Sequence, residues 1–436
     1  MYPRSTLASD VKRTSPPPAE DALPPGTPRE LAQAPSPALA PPPGNPRFPL
    51  FDGMRGIAVL GILAFHVLEL TGKIGLGIGG RLAEVAGYQA VIVFFVISGF
   101  LLYRPYVAAR TRGRPVPSTR RYARRRALRI LPGYWTVLTL LAIYPGVTGA
   151  FSGQWWRFYG YLQLYAQHTQ NQGIPVAWTL CVEVTYYIAL PFWAFGVRRL
   201  ARGRGARALV ISELAPIALV IAGGFIVQLA AAHRLVSHIV ASSLAGQFSW
   251  IAIGMALAVA SAVGQRERTG VRALDAAANH STLCWCVAAA GFVGLAPLQP
   301  SQGLYGLIAA IGARQSLATT AGKLALETVV VVALVLPIIF GDQSRGAPRR
   351  IVALRPVAWL GVISYSFYLW HLTVAEWIAW PKATGSFSAG GLNLLGHVHV
   401  ASSLVLYVVT FAATAALAST SYRFIELPFL RRKETS

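Results

Sequence analysis

Along this chain, apolar and polar positions are sorted into long blocks rather than alternating. Ten apolar runs, at 56–72, 86–108, 127–146, 178–197, 208–230, 239–263, 281–299, 323–341, 356–379 and 400–420, are separated by polar connections. Each approaches the roughly 20 residues that a helix needs to cross the hydrocarbon core of a bilayer. A backbone surrounded by lipid has to satisfy its own hydrogen bonds, so each run predicts a transmembrane helix. No period-two strand pattern and no repeat of the solenoid type is visible. The pattern therefore predicts an all-α integral membrane protein, a bundle of about ten transmembrane helices. The stretch GLYGLIAAIGA at 303–313 is short and Gly-rich, and is placed in an outside loop or a re-entrant piece.

Charge orients the bundle. With the N-terminus in the cytoplasm, the cytoplasmic connections are RPYVAARTRGRPVPSTRRYARRR, RRLARGRGAR, GQRERTGVR and SRGAPRRIVALRP, and the tail YRFIELPFLRRK lies on the same side. All are rich in arginine, whereas the opposite connections carry only Lys73, Arg81, Arg157, Arg234, Arg314 and Lys382. That alternation follows the positive-inside rule and places both termini in the cytoplasm. The formal charge of +23 thus sits between apolar runs, where it suits topology and anionic headgroups; a nucleic-acid binder would carry it on one face of a soluble domain. The lipid bilayer is the expected partner and nucleic acid is not. The composition agrees, with 54% hydrophobic and 13% charged residues, against about 25% charged in a soluble domain.

Residues 1–49 hold nearly half of the 29 prolines and are expected to be a disordered cytoplasmic tail, either inert or tethering a partner. The membrane domain is expected over 50–430, with 431–436 a short basic tail. No cleavable signal peptide is read, because the first apolar run begins near Ile57. Cys181, Cys284 and Cys286 lie inside apolar runs, suggest neither a disulfide framework nor a metal site, and are treated as small hydrophobes.

Ionisable groups within spans are costly, so each is a candidate for function. In GMRGIAVLGILAFHVLEL (53–70), Arg55 and His66 are separated by 11 positions. At about 100° per residue they return to within about 20° of one face, and at 1.5 Å rise they stand roughly 16 Å apart. His66 is expected near mid-membrane, where a neutral imidazole is a good general base. A topology arginine and a hydrogen-bonded histidine are the plain alternative. In FFVISGFLLYRPY, Ser98 and Gly99 permit close helix contact, and Ser98 is a candidate substrate contact. In RRYARRRALRILPGYW, Arg126 and Arg129 are spaced i, i+3 and can grip a phosphate from one helix face, while Pro132 kinks or starts the helix. In WTLCVEVTYYIALPFW, Glu183 is an acid within a span and needs a partner; it either orients His66, binds an acceptor hydroxyl or makes a structural pair. In GVISYSFYLWHLTV, Tyr365, Tyr368 and His371 share a face of one helix, lining a cavity or forming an interfacial belt. Glu426 is expected to pair with Arg423.

Five blocks, taken in order, resemble the acyltransferase 3 family of bacterial membrane acyltransferases. They are FDGMRGIAVLGILAFH with its R-x10-H spacing, FFVISGFLLY, RRALRILPGYW with R-x-x-R, WTLCVEVTYYIALP, and ISYSFYLWH followed by YRFIELPFL. The resemblance spans residues 50 to about 430. It implies transfer of an acyl group, often acetyl, from cytoplasmic acyl-CoA to a hydroxyl of an envelope or exported glycan or glycolipid, at the bacterial cytoplasmic (inner) membrane. Carried onto this sequence, the residues it makes essential are Arg55, His66, Arg126 and Arg129, with Glu183 as the acid of the fourth block. Val184 stands where the family pattern has a second acid or polar residue. Many relatives carry a C-terminal SGNH-type hydrolase domain, which this sequence is expected to lack.

The expectation is therefore an O-acyltransferase without a permanently bound cofactor. Acyl-CoA is the donor, with its phosphates on Arg55, Arg126 and Arg129. His66 and Glu183 are catalytic, and Ser98, Tyr365, Tyr368 and His371 contact substrate. The rival is a multi-pass transporter or permease that uses the same Arg, His and Glu as a substrate or proton path.

Overall fold

The computed structural model of the chain describes residues 48, 50–201, 206–267, 272–299, 316–379 and 403–432. The Pro-rich stretch up to residue 47, the 303–313 piece and the last four residues of the basic tail lie outside them. Eleven principal helices carry the fold of the unit Asn45–Ser436. They are α1 (Leu50–Leu70), α2 (Gly77–Thr111), α3 (Thr119–Ile143), α4 (Trp178–Ala201), α5 (Ala206–Ala232), α6 (Leu244–Glu267), α7 (Ser281–Leu295), α8 (Leu317–Ile339), α9 (Arg355–Val362), α10 (Ser364–Ala379) and α11 (Ser403–Ser421).

Each apolar run predicted from sequence falls on one of these helices, with one correction. The ninth run is not a single helix but the pair α9 and α10, bent by 79° at Ile363. Eight of the described helical segments are long and apolar enough to cross a membrane, nine if the bent pair counts as one span, where the sequence predicts ten. The difference is α3, whose first turns are crowded with arginines. Pro132 lies within α3 rather than at its start. No strand occurs among the described residues.

The helix α2 is the hub of the bundle, packing along α1 and α6 and more briefly against α4, α7 and α8. At 35 residues it is about 52 Å long, and it is buried nearly all round, as a helix apolar on every face should be. In lipid, apolar contact alone gives helices little reason to associate, so close backbone approach matters more. A Cβ added to Gly99 of α2 would stand 2.0 Å from the Ile251 carbonyl oxygen of α6. One added to Gly254 of α6 would stand 2.0 Å from the Val96 carbonyl oxygen of α2. The two glycines are reciprocal notches.

The connections define two ends. The arginine end holds the start of α1 and α3 and the ends of α2 and α4. The histidine end is the opposite one, where the connection 144–177 folds into a cap: Tyr134 of α3 donates to the Phe158 carbonyl (3.1 Å), and Tyr161 stacks on Tyr134 with ring centroids 4.3 Å apart. One arginine of the basic connection 345–355 is more than a topology signal. Arg349 is buried and donates to the carbonyls of Pro337 (2.7 Å), Phe340 (2.8 Å), Ala278 (2.9 Å) and Arg345 (2.9 Å). It thereby satisfies orphan carbonyls at the end of α8, where a cation is electrostatically favoured.

Candidate active site

At the arginine end two helices, α1 and α3, bring their cations together against α4. Arg55 leaves α1 one turn after its start, with Nη1 3.5 Å from Asp52 Oδ1, and it lies within electrostatic reach of Arg129 and Glu183. Arg126 and Arg129 leave α3 on one face. The Arg126 guanidinium stands 5.9 Å from the Tyr187 ring of α4, a cation–π distance. All three arginines are half-buried. Among the described residues neither Arg126 nor Arg129 makes an ion pair within the 4.0 Å that defines one. Like charges held this close repel, and a bound anion offsets that repulsion.

Deeper along the bundle, Glu183 of α4 accepts a hydrogen bond from Ser98 Oγ of α2. Glu183 is thus held at the wall of the arginine cluster, in electrostatic reach of Arg55. The Tyr365 hydroxyl donates to the Ile130 carbonyl of α3 (2.6 Å), and the Tyr368 hydroxyl donates to the Val176 carbonyl (2.5 Å) and lies 2.8 Å from Thr179 Oγ1. These two hydroxyls are committed to clasping α10 onto α3 and onto the turn before α4. Glu426 accepts from Ser366 of α10 and its charge reaches Arg129, while Arg423 lies over the Phe424 ring instead of pairing with Glu426.

At the histidine end, His66 sits one turn before the end of α1 rather than at its middle. Its Nδ1 is 2.9 Å from Glu69 Oε2, so the carboxylate fixes Nδ1–H and leaves the lone pair on Nε2. His371 of α10 lies beside it, with ring centroids 5.2 Å apart. His371 is fully buried, donates from Nδ1 to the Tyr368 carbonyl (2.8 Å), and has no partner for Nε2 among the described residues. Two imidazoles are therefore side by side, each with Nδ1 engaged. The His66 side chain is 17% exposed, so it is neither turned out of the bundle nor sealed within it.

Sequence reasoning names His66 and His371 separately but not as a pair, and it misses Glu69. The acid at the His66 ring is Glu69, one turn on, and the partner of Glu183 is Ser98. The H-x-x-E spacing of 66 and 69 was the available signal, since positions three apart share a helix face.

The acyltransferase domain model of the acyltransferase 3 family matches residues 49–423, most of the chain. The chain belongs to the acyltransferase 3 family. All the site residues described above, except Phe424 and Glu426, lie within the matched region of this acyltransferase 3 chain. It is 22% identical over 416 residues to the O-acetyltransferase OatA of Staphylococcus aureus, covering 89% of this chain and 58% of that protein. It is 21% identical over 401 residues to the peptidoglycan O-acetyltransferase OatA of Listeria monocytogenes, covering 87% and 55%. The chain thus spans less than two thirds of the length of these curated relatives. No solved structure matches it.

Proposed function

We propose that this protein is a membrane O-acyltransferase. It moves an acyl group, most simply acetyl, from cytoplasmic acyl-CoA to a hydroxyl of an envelope or exported glycan. The observation that carries the reading is the axis of α1, with an arginine cluster at one end and an imidazole pair about 16 Å along it. That distance suits the pantetheine arm of coenzyme A. Family membership supports acyl transfer, and the relatives named as O-acetyltransferases support acetyl and a peptidoglycan-type acceptor.

In this mechanism Arg55, Arg126 and Arg129 hold the donor phosphates at the cytoplasmic mouth. Both chain termini lie on that side, and the protein sits in the bacterial cytoplasmic membrane; the arginine-rich connections at that end support this orientation. The acceptor enters from the histidine end. Nε2 of His66 takes the proton of the acceptor hydroxyl as its oxygen attacks the thioester carbonyl. The carbon–sulfur bond breaks, and the imidazolium returns that proton to the departing thiolate. Ester and free CoA are the products, and no proton is gained or lost. Glu69 holds the His66 tautomer and stabilises the imidazolium. The helix walls exclude water and protect the thioester from hydrolysis.

The test uses purified protein in lipid vesicles with acetyl-CoA and a peptidoglycan-derived glycan. Acceptor-dependent release of CoA with acetate on the glycan is expected, and His66→Ala should remove it while the protein stays folded. Movement of glycan across the bilayer with no thioester consumed would overturn the reading in favour of a transporter.

A further inference from the structure

Beside Arg126 lies a group of polar atoms that the mechanism above does not use. The hydroxyls of Tyr106 (α2), Tyr122 (α3) and Tyr186 (α4), and Nε of Arg126 itself, are buried and have no hydrogen-bond partner among the described residues. Tyr106 and Tyr186 are 3% and 1% exposed. The Tyr106 and Tyr122 rings meet edge to face, 6.1 Å apart, and Arg126 is in electrostatic reach of all three hydroxyls. Leaving a buried donor unmade is unfavourable, and three helices converge here to leave several unmade around one guanidinium. Every one of these groups can donate, and an oxygen-rich anion is the ligand that would accept from all of them. Glu183 reaches the edge of the group at Tyr122 but is held by Ser98.

The surroundings of the three arginines differ. Around Arg55 and Arg129, Asp52 and Glu426 supply compensating negative charge. Around Arg126 the rings are tyrosines, and the carboxylate that reaches the group, Glu183, is already held by Ser98, which suits the more highly charged ligand. Position along α3 orders the two. Arg126 precedes Arg129 by three residues, so it lies about 4.5 Å nearer the mouth, and Tyr122 lies a further turn out. Coenzyme A also carries two anionic groups in order. Its pyrophosphate, with one charge per phosphorus, is next to the pantetheine arm. Its 3′-phosphate, a monoester with three terminal oxygens and up to two charges, is farther from the thioester.

Resting on the donor assignment above, we infer that Tyr106, Tyr122 and Tyr186 form with Arg126 a cradle for the 3′-phosphate of coenzyme A, leaving the pyrophosphate to Arg55 and Arg129. The cradle is the donor-specificity element: it distinguishes coenzyme A from thioesters that end in a plain phosphopantetheine or lack the 3′-phosphate.

The test compares binding of coenzyme A and dephospho-coenzyme A to the purified full chain and to its Tyr106→Phe and Tyr186→Phe variants. Wild type should prefer coenzyme A by about tenfold or more, the scale of one hydrogen bond to a charged group. Each variant should lose about tenfold in affinity for coenzyme A and none for dephospho-coenzyme A, narrowing the preference by that factor. Thermal stability without ligand should be unchanged or raised in the variants, since each removes a buried unpartnered hydroxyl; a merely structural role would lower it. Equal loss for both ligands, or no loss for either, overturns the cradle alone. Failure of the wild type to bind coenzyme A overturns the donor assignment and the cradle with it.

Discussion

The imidazole rings of His66 on α1 and His371 on α10 lie 5.2 Å apart, centroid to centroid, and each is fixed by a different Nδ1 acceptor. Glu69 takes the first and the Tyr368 carbonyl takes the second. His371 also stacks on Phe367 at an interplanar angle of 9°. His371→Phe keeps an aromatic ring in that stack and removes the buried Nε2. Acyl transfer should fall by about 10- to 100-fold, below the roughly 100- to 10,000-fold expected for removing the general base itself, with coenzyme A affinity unchanged. Steady-state rates beside a binding isotherm check this. A variant with the wild-type rate would reduce His371 to packing.

Glu69 is an exposed residue, yet its contact with Nδ1 of His66 is what leaves Nε2 as the base in the proposed mechanism. Glu69→Ala removes the acceptor for Nδ1–H, so both tautomers become available and the imidazolium loses its counter-charge. A loss of at least about tenfold in kcat is expected, with KM for acyl-CoA little changed. Glu69→Gln should recover part of the loss, because the amide oxygen still accepts from Nδ1. If Glu69→Ala matches wild type, the carboxylate is only a surface group.

Much of this arrangement was legible before any coordinates. The apolar runs locate every principal helix, because in lipid the span is set by bilayer thickness. The 11-residue spacing in α1 places Arg55 and His66 on one face because a continuous helix fixes rotation and rise together. What needed the fold were relations between helices. Nothing in the sequence around His371 says that it faces His66. Tyr365 and Tyr368 form a polar stripe that suits a cavity wall, and only the positions of the Ile130 and Val176 carbonyls turn them into clasps. Tyr106, Tyr122 and Tyr186 stand on three different helices, each indistinguishable in sequence from an interfacial tyrosine. Arg349 sits in a basic connection whose charge count is explained by topology, and its four carbonyl bonds follow from the curl of the chain at the end of α8. The bend at Ile363 was hidden because an unbroken apolar run does not reveal a change of direction.

The reciprocal notches at Gly99 and Gly254 set the spacing of α2 and α6. Gly254→Leu would drive a side chain into the Val96 carbonyl of α2 and force the helices apart. Overpacking of this kind costs about 1–3 kcal/mol, so a fall in thermal stability and in folded yield is expected. Gly223→Leu on α5 meets nothing within 4 Å of the new Cβ and serves as the control, with stability unchanged. Fluorescence-detected size-exclusion chromatography after a heat step measures both. Equal stability of the two variants would show that α2 and α6 do not need the notch.

The account as a whole depends on the thioester of a donor anchored at the arginine end arriving at residue 66. Bromoacetyl-CoA places an alkylating carbon where the acyl group would be, and it can be offered to His66→Cys in a background of Cys181→Ala, Cys284→Ala and Cys286→Ala. Peptide mass spectrometry then reads which residue carries the adduct. The expected result is alkylation at position 66, blocked by excess coenzyme A and lost when Arg126→Ala and Arg129→Ala are added. An unmodified position 66, or labelling there that is indifferent to coenzyme A and to both arginines, would contradict it.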